Sequence, residues 1–307
     1  MILRSAALVA ALCLAPLALP AQDDSASTRA KQDVLWSRME DSVRAIAGRT
    51  DAVVGVAILD LADGRAFYSN ADALYPTAST IKIALLAELY RQDEHRAGAR
   101  LADPYTVDAK DAVGGAGIMG GLTPGVTRLT NRDLARLMVA LSDNSATNVL
   151  IDRVGMDSVN ATLDRLGLRK TRLRRHMMDA QAARAGRENT ATPRELVTLL
   201  AALHGGRVLG KAAADSCFAM LSTLKNGYVT RLLPPDLAVA NKPGDLDGVR
   251  NDAGVVLVPG RPFAIAVMTT YSGDDRAAEG SIAEIARAAW RYFDRVGRSS
   301  ALGRAMR

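Results

Sequence analysis

The chain has two cysteines and three histidines in 307 residues. Cys13 falls inside an apolar N-terminal run, so removal of that leader leaves Cys217 alone. One thiol makes neither an internal disulfide nor a cysteine-based zinc site. His95, His176 and His204 are widely spaced and have no helical pairing, which argues against a histidine-rich metal site. A Ser-His-Asp triad of sequence neighbours is unsupported for the same reason, although one assembled in space stays open. Aromatic residues are 4% of the chain, too few for stacking-based binding of single-stranded nucleic acid. There is no glycine-rich phosphate loop running into Lys-Ser or Lys-Thr, no internal repeat and no low-complexity linker.

What remains is an ordinary globular composition, 49% hydrophobic and 23% charged. The length allows one large domain or two modest ones. The net charge of +6 is concentrated at the C-terminus, where Arg291, Arg295, Arg298, Arg304 and Arg307 face only Asp294. The rest of the body is close to neutral, so a nucleic-acid partner is not expected. Arg4, the apolar run Ala6–Leu19 and Pro20-Ala21 ahead of Gln22-Asp23-Asp24 read as a secretory signal cleaved near Ala21. A buried N-terminal helix is the competing reading. The run is short and contains Pro16, so no stable membrane span is expected, and the mature protein is placed outside the cytoplasm, periplasmic or secreted.

Residues 30–48 show a helical apolar period through Val34, Leu35, Met39, Val43 and Ile46. Ala52–Leu61 reads as a strand, with Ala62-Asp63-Gly64-Arg65 turning it into a hairpin. Helical pattern resumes over 77–91 and over 131–141, 145–153, 157–166, 194–204 and 211–224. Three strand-like runs follow, 237–241, 255–258 and 263–270, then a closing helix over 282–296. This order predicts an α/β (α+β) fold, an antiparallel sheet flanked by the terminal helices with an all-helical inserted domain. The expected division is a signal peptide at 1–21, a sheet domain from 22–75 and 211–307, and a helical domain at 76–210.

Three short elements carry possible chemistry. Ser79-Thr80-Ile81-Lys82 puts a hydroxyl and an amine on one helical face, within hydrogen-bond reach. A desolvated lysine can act as base, but a capping serine beside a solvated lysine fits the spacing too. Ser142-Asp143-Asn144 sits between two helices, either aimed into a cleft or capping the helix that follows. Lys242-Pro243-Gly244 lies beside a strand, suited to an anionic substrate or to a plain strand end.

As a set, in this order and separated by 63 and then 100 residues, the three elements resemble the class A β-lactamase family of penicillin-recognising serine hydrolases. The resemblance covers roughly residues 30–296 and implies the β-lactamase-like fold. It implies Ser79 as nucleophile, Lys82 as base or part of a proton relay, and Ser142 as the group passing the proton to the leaving nitrogen. Asn144 would hold the substrate's amide, and Lys242 would supply positive charge beside Ser142 and the substrate carboxylate. Gly244 would let the strand approach, and backbone N–H groups of Ser79 and Asp245 would form the oxyanion hole. Arg250 falls near where many members keep a carboxylate-binding cation, and reads equally as a surface arginine. The partner implied is a small-molecule β-lactam or a D-Ala-D-Ala peptide, the expected state is a monomer, and no cofactor or metal is needed.

The chain also departs from that family's pattern. The Glu-x-x-Leu-Asn motif of the family's Ω-type loop is absent from 171–193, and matching the loop start puts Met177 where the glutamate belongs. Methionine takes no proton, so hydrolysis of an acyl-enzyme would fall to Asp179, to Glu188 or to neither. Asp179 reads more simply as ordering the loop through a nearby arginine. Pro243 lacks the hydroxyl usual at the centre of the lysine motif. The competing functions are therefore a β-lactamase with an unusual base, a D-Ala-D-Ala peptidase resembling penicillin-binding proteins, and an acylated, non-catalytic sensor.

Overall fold

The computed structural model describes residues 24–223 and 225–306; the expected leader, its cleavage site and Cys13 lie outside them. The chain opens with helix α1 (Asp24–Arg49), hairpin β1 (Val53–Asp60) and β2 (Ala66–Ser69), and the short strand β3 (Tyr75–Pro76). A 3-10 turn, Ala78–Ile81, leads into α2 (Lys82–His95). Short strands β4 (Pro104–Thr106) and β5 (Arg128–Thr130) pair with each other ahead of α3 (Asn131–Ala140), α4 (Asn144–Val154) and α5 (Met156–Arg165). Next come α6 (Ala180–Arg184), β6 (Thr190–Ala191), α7 (Pro193–His204) and α8 (Lys211–Leu221). The chain closes with β7 (Val239–Leu246), β8 (Val249–Val256), β9 (Phe263–Thr270) and α9 (Asp275–Gly297).

The five long strands form one antiparallel sheet in the order β2-β1-β9-β8-β7. Residue size sorts its two faces, because successive side chains point to opposite sides. Val54, Val56 and Ile58 of β1, with Phe263, Ile265 and Val267 of β9, face α1 and α9. Between them, Ala57, Ala264 and Ala266 face the helical half, and their small side chains let helices lie close against the sheet. The terminal helices thus flank one face of an antiparallel sheet, the α/β arrangement expected from the sequence. Among the described residues no helix is long and apolar enough to cross a membrane.

The α1/α9 layer is fastened by aromatics. Phe293 stacks on Phe263 with centroids 4.2 Å apart, and Tyr292 and Trp36 meet it edge-on. Phe293 is fully buried, so Phe293→Ala is expected to cost about 3–5 kcal/mol of stability, read by urea unfolding. A loss below about 1 kcal/mol would show that this layer is not cooperative with the sheet. Cys217 is buried in α8, and burial pushes its thiol up to about 12, leaving it protonated and unreactive.

Three local differences from the sequence reading affect the site. The strand expected at 237–241 continues to Leu246, through Pro243-Gly244. Pro243 is accommodated because β7 is the sheet edge and its imide nitrogen has no ladder bond to supply. Ser79 lies within the 3-10 turn rather than capping α2, and Thr77 precedes that turn with no side-chain cap. A short helix, α6, forms where only alanine-rich loop was expected.

Candidate active site

Ala78 precedes Ser79 with φ +47°, a left-handed conformation that alanine adopts only under constraint. Ser142 has φ +54°. Strain of this kind, on both sides of one pair of hydroxyls, gathers where the surrounding structure imposes a geometry. In the Ser79 turn the constraints are visible: Thr77 N–H and Thr77 Oγ1 both donate to the carbonyl of Asn189, at 2.9 and 3.1 Å.

Ser142 Oγ is the hub. It hydrogen-bonds Ser79 Oγ at 2.8 Å, and the amine nitrogens of Lys82 and Lys242 each lie 3.1 Å away. Lys82 Nζ also donates to the Ser142 carbonyl at 2.7 Å and to Asn144 Oδ1 at 3.2 Å. The direct Lys82–Ser79 hydrogen bond expected from the three-residue spacing is not among its contacts; Lys82 reaches the Ser79 hydroxyl through Ser142. Lys82 Nζ is instead taken up by the Ser142 carbonyl and hydroxyl and by Asn144 Oδ1.

Both lysines are buried. Burial holds Lys82 well below the usual lysine range, helped by the like charge of Lys242 and opposed by Asp143. Lys242 is lowered to about 8 by burial, with Asp252 and Asp245 favouring its charge and Lys225 opposing it. Burial therefore disfavours the charged form of both amines.

Gly244 lets β7 meet the Ser79 turn. A Cβ there would lie 2.7 Å from the Ser79 nitrogen and 2.9 Å from the Thr77 oxygen, both backbone atoms that cannot swing aside. Peptide N–H groups alternate sides along a strand, so Asp245 N–H points off the ladder on the same side as the Pro243 nitrogen. That side faces the Ser79 turn. Gly244→Ala is expected to lower acylation about 10²-fold by moving β7 off Ser79, measured as the second-order rate with a chromogenic β-lactam. An unchanged rate would contradict the close approach.

Asp143 caps α4 by accepting from Ala146 N–H at 2.9 Å, while its other oxygen accepts from Ile118 and Met119 N–H. This carboxylate pins the glycine-rich loop beside Asn144, whose Nδ2 donates to the Gly114 carbonyl at 3.2 Å. Ser79, Ser142 and Asn144 line one wall of a cavity of about 450 Å³. Met177, Met178, Asp179 and Glu188 of the loop line it too, with Asp245 and Leu246 of β7.

Each loop carboxylate has a local partner through one of its two oxygens. Asp179 caps α6 by accepting from Ala182 N–H at 2.8 Å; it is not the partner of an arginine, as its arginine-rich surroundings suggested. Glu188 is paired with Arg175, Nε to Oε1 at 2.9 Å, and also accepts from Asn189 N–H. Met177 is buried, and Asn148 holds its backbone from both sides, accepting from its N–H at 2.7 Å and donating to its carbonyl at 3.1 Å. Arg250 stands apart from the cavity lining. Its guanidinium binds Glu279 at 3.0 Å and Asp275 at 2.8 Å on α9, and the carbonyls of Leu246 and Val249. Of the two sequence readings of Arg250, these pairs match the surface arginine, held here by two carboxylates of α9.

Two residues were not anticipated. Asn189 ties the loop ends, accepting from Arg174 and Arg175 N–H and presenting its own carbonyl to Thr77. Asn148 was findable: it lies four residues beyond Asn144 on α4, so both face the same side of that helix.

Comparison with known proteins identifies the family of this fold. Residues 38–293 match the family described as the Beta-lactamase enzyme family. A β-lactamase of Streptomyces fradiae is 32% identical over 262 residues, covering 82% of this chain and 85% of that one. The crystal structure of a β-lactamase from Sphaerobacter thermophilus has a TM-score of 0.77 at 33% identity, covering 84% of this chain and 97% of the other. A leucine-to-glutamate variant of PBP-A, solved as an acyl-enzyme complex with penicillin G, has a TM-score of 0.75 at 25% identity, covering 85% and 97%. The chain belongs to the β-lactamase enzyme family, and its relatives include class A enzymes.

Proposed function

We propose that this protein is an exported serine hydrolase that is acylated on Ser79 by β-lactams and releases the opened product slowly. The observation that carries the reading is the hydrogen-bonded chain Ser79–Ser142–Lys82, closed by Lys242, on the wall of the cavity. Neutral Lys82 takes a proton from Ser142 as Ser142 takes one from Ser79. Ser79 Oγ then forms a bond to the lactam carbonyl carbon. The developing oxyanion is received by the N–H groups of Ser79 and Asp245. As the lactam C–N bond breaks, the proton returns through Ser142 to the leaving nitrogen, and Lys82 is neutral again. Lys242, charged and beside Ser142, attracts the substrate carboxylate.

Release needs a base that activates water on the ester. By the sequence resemblance Met177, which lines the cavity, stands at the position of that base, and each of the two nearby carboxylates commits one oxygen to capping or pairing. A positioned base contributes about 10²–10⁴ in rate, so deacylation is slow by that amount relative to a relative that has one. The same chain attacks the penultimate carbonyl of a D-Ala-D-Ala peptide with departure of D-alanine. This second reading is favoured by the likeness to PBP-A.

Pre-steady-state ring opening separates these readings. A burst of one equivalent per enzyme followed by a slow phase is expected; continuous turnover without a burst contradicts slow release. Release of D-alanine from a D-Ala-D-Ala peptide would place the natural activity with peptides. The pH profile of acylation carries its own signature. Lys82 must be neutral, so the rate falls as pH drops through its lowered pKa, and Lys242 must be charged, so the rate falls as pH rises through about 8. A flat profile between pH 7 and the ordinary lysine range, about 10.4, would contradict the role of Lys242.

A further inference from the structure

The face of the molecule formed by α1 and α9 has a composition that neither the fold nor the cavity requires. Arg287, Arg291 and Arg295 recur every four residues and so share one side of α9. Arg38 of α1 lines the same groove of about 360 Å³. Among the described residues none of these four guanidiniums lies within 4 Å of a carboxylate. Glu284, which also lines the groove, pairs with Arg49, and Asp294 of α9 pairs with Arg298. Like charges at four-residue spacing destabilise a helix, so this stripe is not there for the stability of α9.

A second feature lies alongside. The groove continues, through shared residues Leu35 and Arg295, into a smaller one that includes Lys31 and the C-terminal residues Ser299, Ser300, Ala301 and Gly303. That segment is ordered: Ser299 pairs with Ala305, Met306 N–H donates to the Arg298 carbonyl at 2.7 Å, and Thr28 of α1 donates to the Ala301 carbonyl at 2.6 Å. It presents Leu302 and Met306 to solvent at 62% and 60% exposure, and Val34 stands at 54% on α1. The segments that line the two grooves thus also carry apolar side chains that the protein does not bury.

We propose that this face is a docking surface for an anionic phospholipid bilayer. Guanidiniums bind headgroup phosphates by charge-assisted hydrogen bonds, and a basic cluster is attracted to an anionic leaflet. Leu302, Met306 and Val34 then enter the boundary between headgroups and acyl chains, as the apolar side of an interfacial element does. A soluble polyanion would use the arginines and gain nothing from exposed leucine and methionine. A lipid surface uses both. The cavity is built on the helical side of the sheet, opposite α1 and α9, so docking leaves it open.

The test is co-sedimentation of the purified protein with vesicles of phosphatidylglycerol and phosphatidylcholine, and with vesicles of phosphatidylcholine alone. Binding is expected only to the mixed vesicles at roughly 0.1 M salt, and loss of binding at about 1 M, where screening shortens from about 10 Å to 3 Å. Each basic residue is worth about fivefold in partitioning, so the triple variant Arg287→Gln/Arg291→Gln/Arg295→Gln should lose on the order of a hundredfold. Leu302→Ser with Met306→Ser should lose several-fold while acylation by penicillin in solution stays at the parent rate. Absence of binding to mixed vesicles at low salt overturns the proposal. So does binding that ignores the Leu302 and Met306 changes and is matched by soluble polyphosphate, which would mark a general polyanion site.

Discussion

Ser79→Ala is expected to reduce acylation by any β-lactam on the order of 10⁶-fold, with no loss of folding. The size follows from the way the residues act together. Ser79 supplies the atom that bonds to the carbonyl, and its hydroxyl is held at 2.8 Å by Ser142, which in turn meets both lysines. Residues acting as one unit are not additive, so Lys82→Ala added to Ser79→Ala should cost little more. The side chain lost is small and Ser79 is only half-buried, so the thermal midpoint should move little. Acylation of the alanine variant at the parent rate would place the nucleophile elsewhere.

The second large effect is a gain. Met177→Glu is expected to speed breakdown of the acyl-enzyme about 10²–10⁴-fold while leaving its formation near the parent rate. The backbone at 177 is already fixed by Asn148 from both sides, so the new carboxylate enters a set geometry. The position is buried, and desolvation raises the pKa of a carboxyl group towards the range of a useful base. It also costs stability, since a well-packed methionine is exchanged for an ionisable group. The kinetic split is therefore the informative readout: deacylation rises and acylation does not. A variant that folds and releases product no faster would show that the loop does not direct position 177 at the ester.

Much of this site could be read from local pattern. The spacing Ser79 to Lys82, the turn Ser142-Asp143-Asn144 and the strand residue Lys242 are each short-range signals, and the fold brings all three to Ser142 Oγ. The apolar periodicity of 30–48 and 282–296 likewise marked the helices that flank the sheet, because one buried stripe repeats every three or four residues. What escaped depended on distant partners or on backbone strain. Arg250 looked available because nothing in Val249-Arg250-Asn251 shows that Asp275 and Glu279 arrive from α9. Asn189 looked like loop filler, yet its side chain joins Arg174 and Arg175 across the loop. Neither Ala78 nor Ser142 carries a residue type that favours positive φ, so tertiary contacts impose those conformations. At Asp179 the local signal decides: an aspartate before Ala180-Gln181-Ala182 is a helix cap, and the cap outranks the neighbouring arginines.

The central claim is that Ser79 forms a covalent ester which Met177 leaves long-lived. Intact-protein mass spectrometry after addition of a penicillin, followed over time with peptide mapping, tests it most directly. The expected result is one adduct per chain, of the mass of the whole drug because ring opening expels nothing, mapped to Ser79 and persisting after free drug is removed. No adduct while the drug is hydrolysed, or an adduct on any other residue, would contradict it.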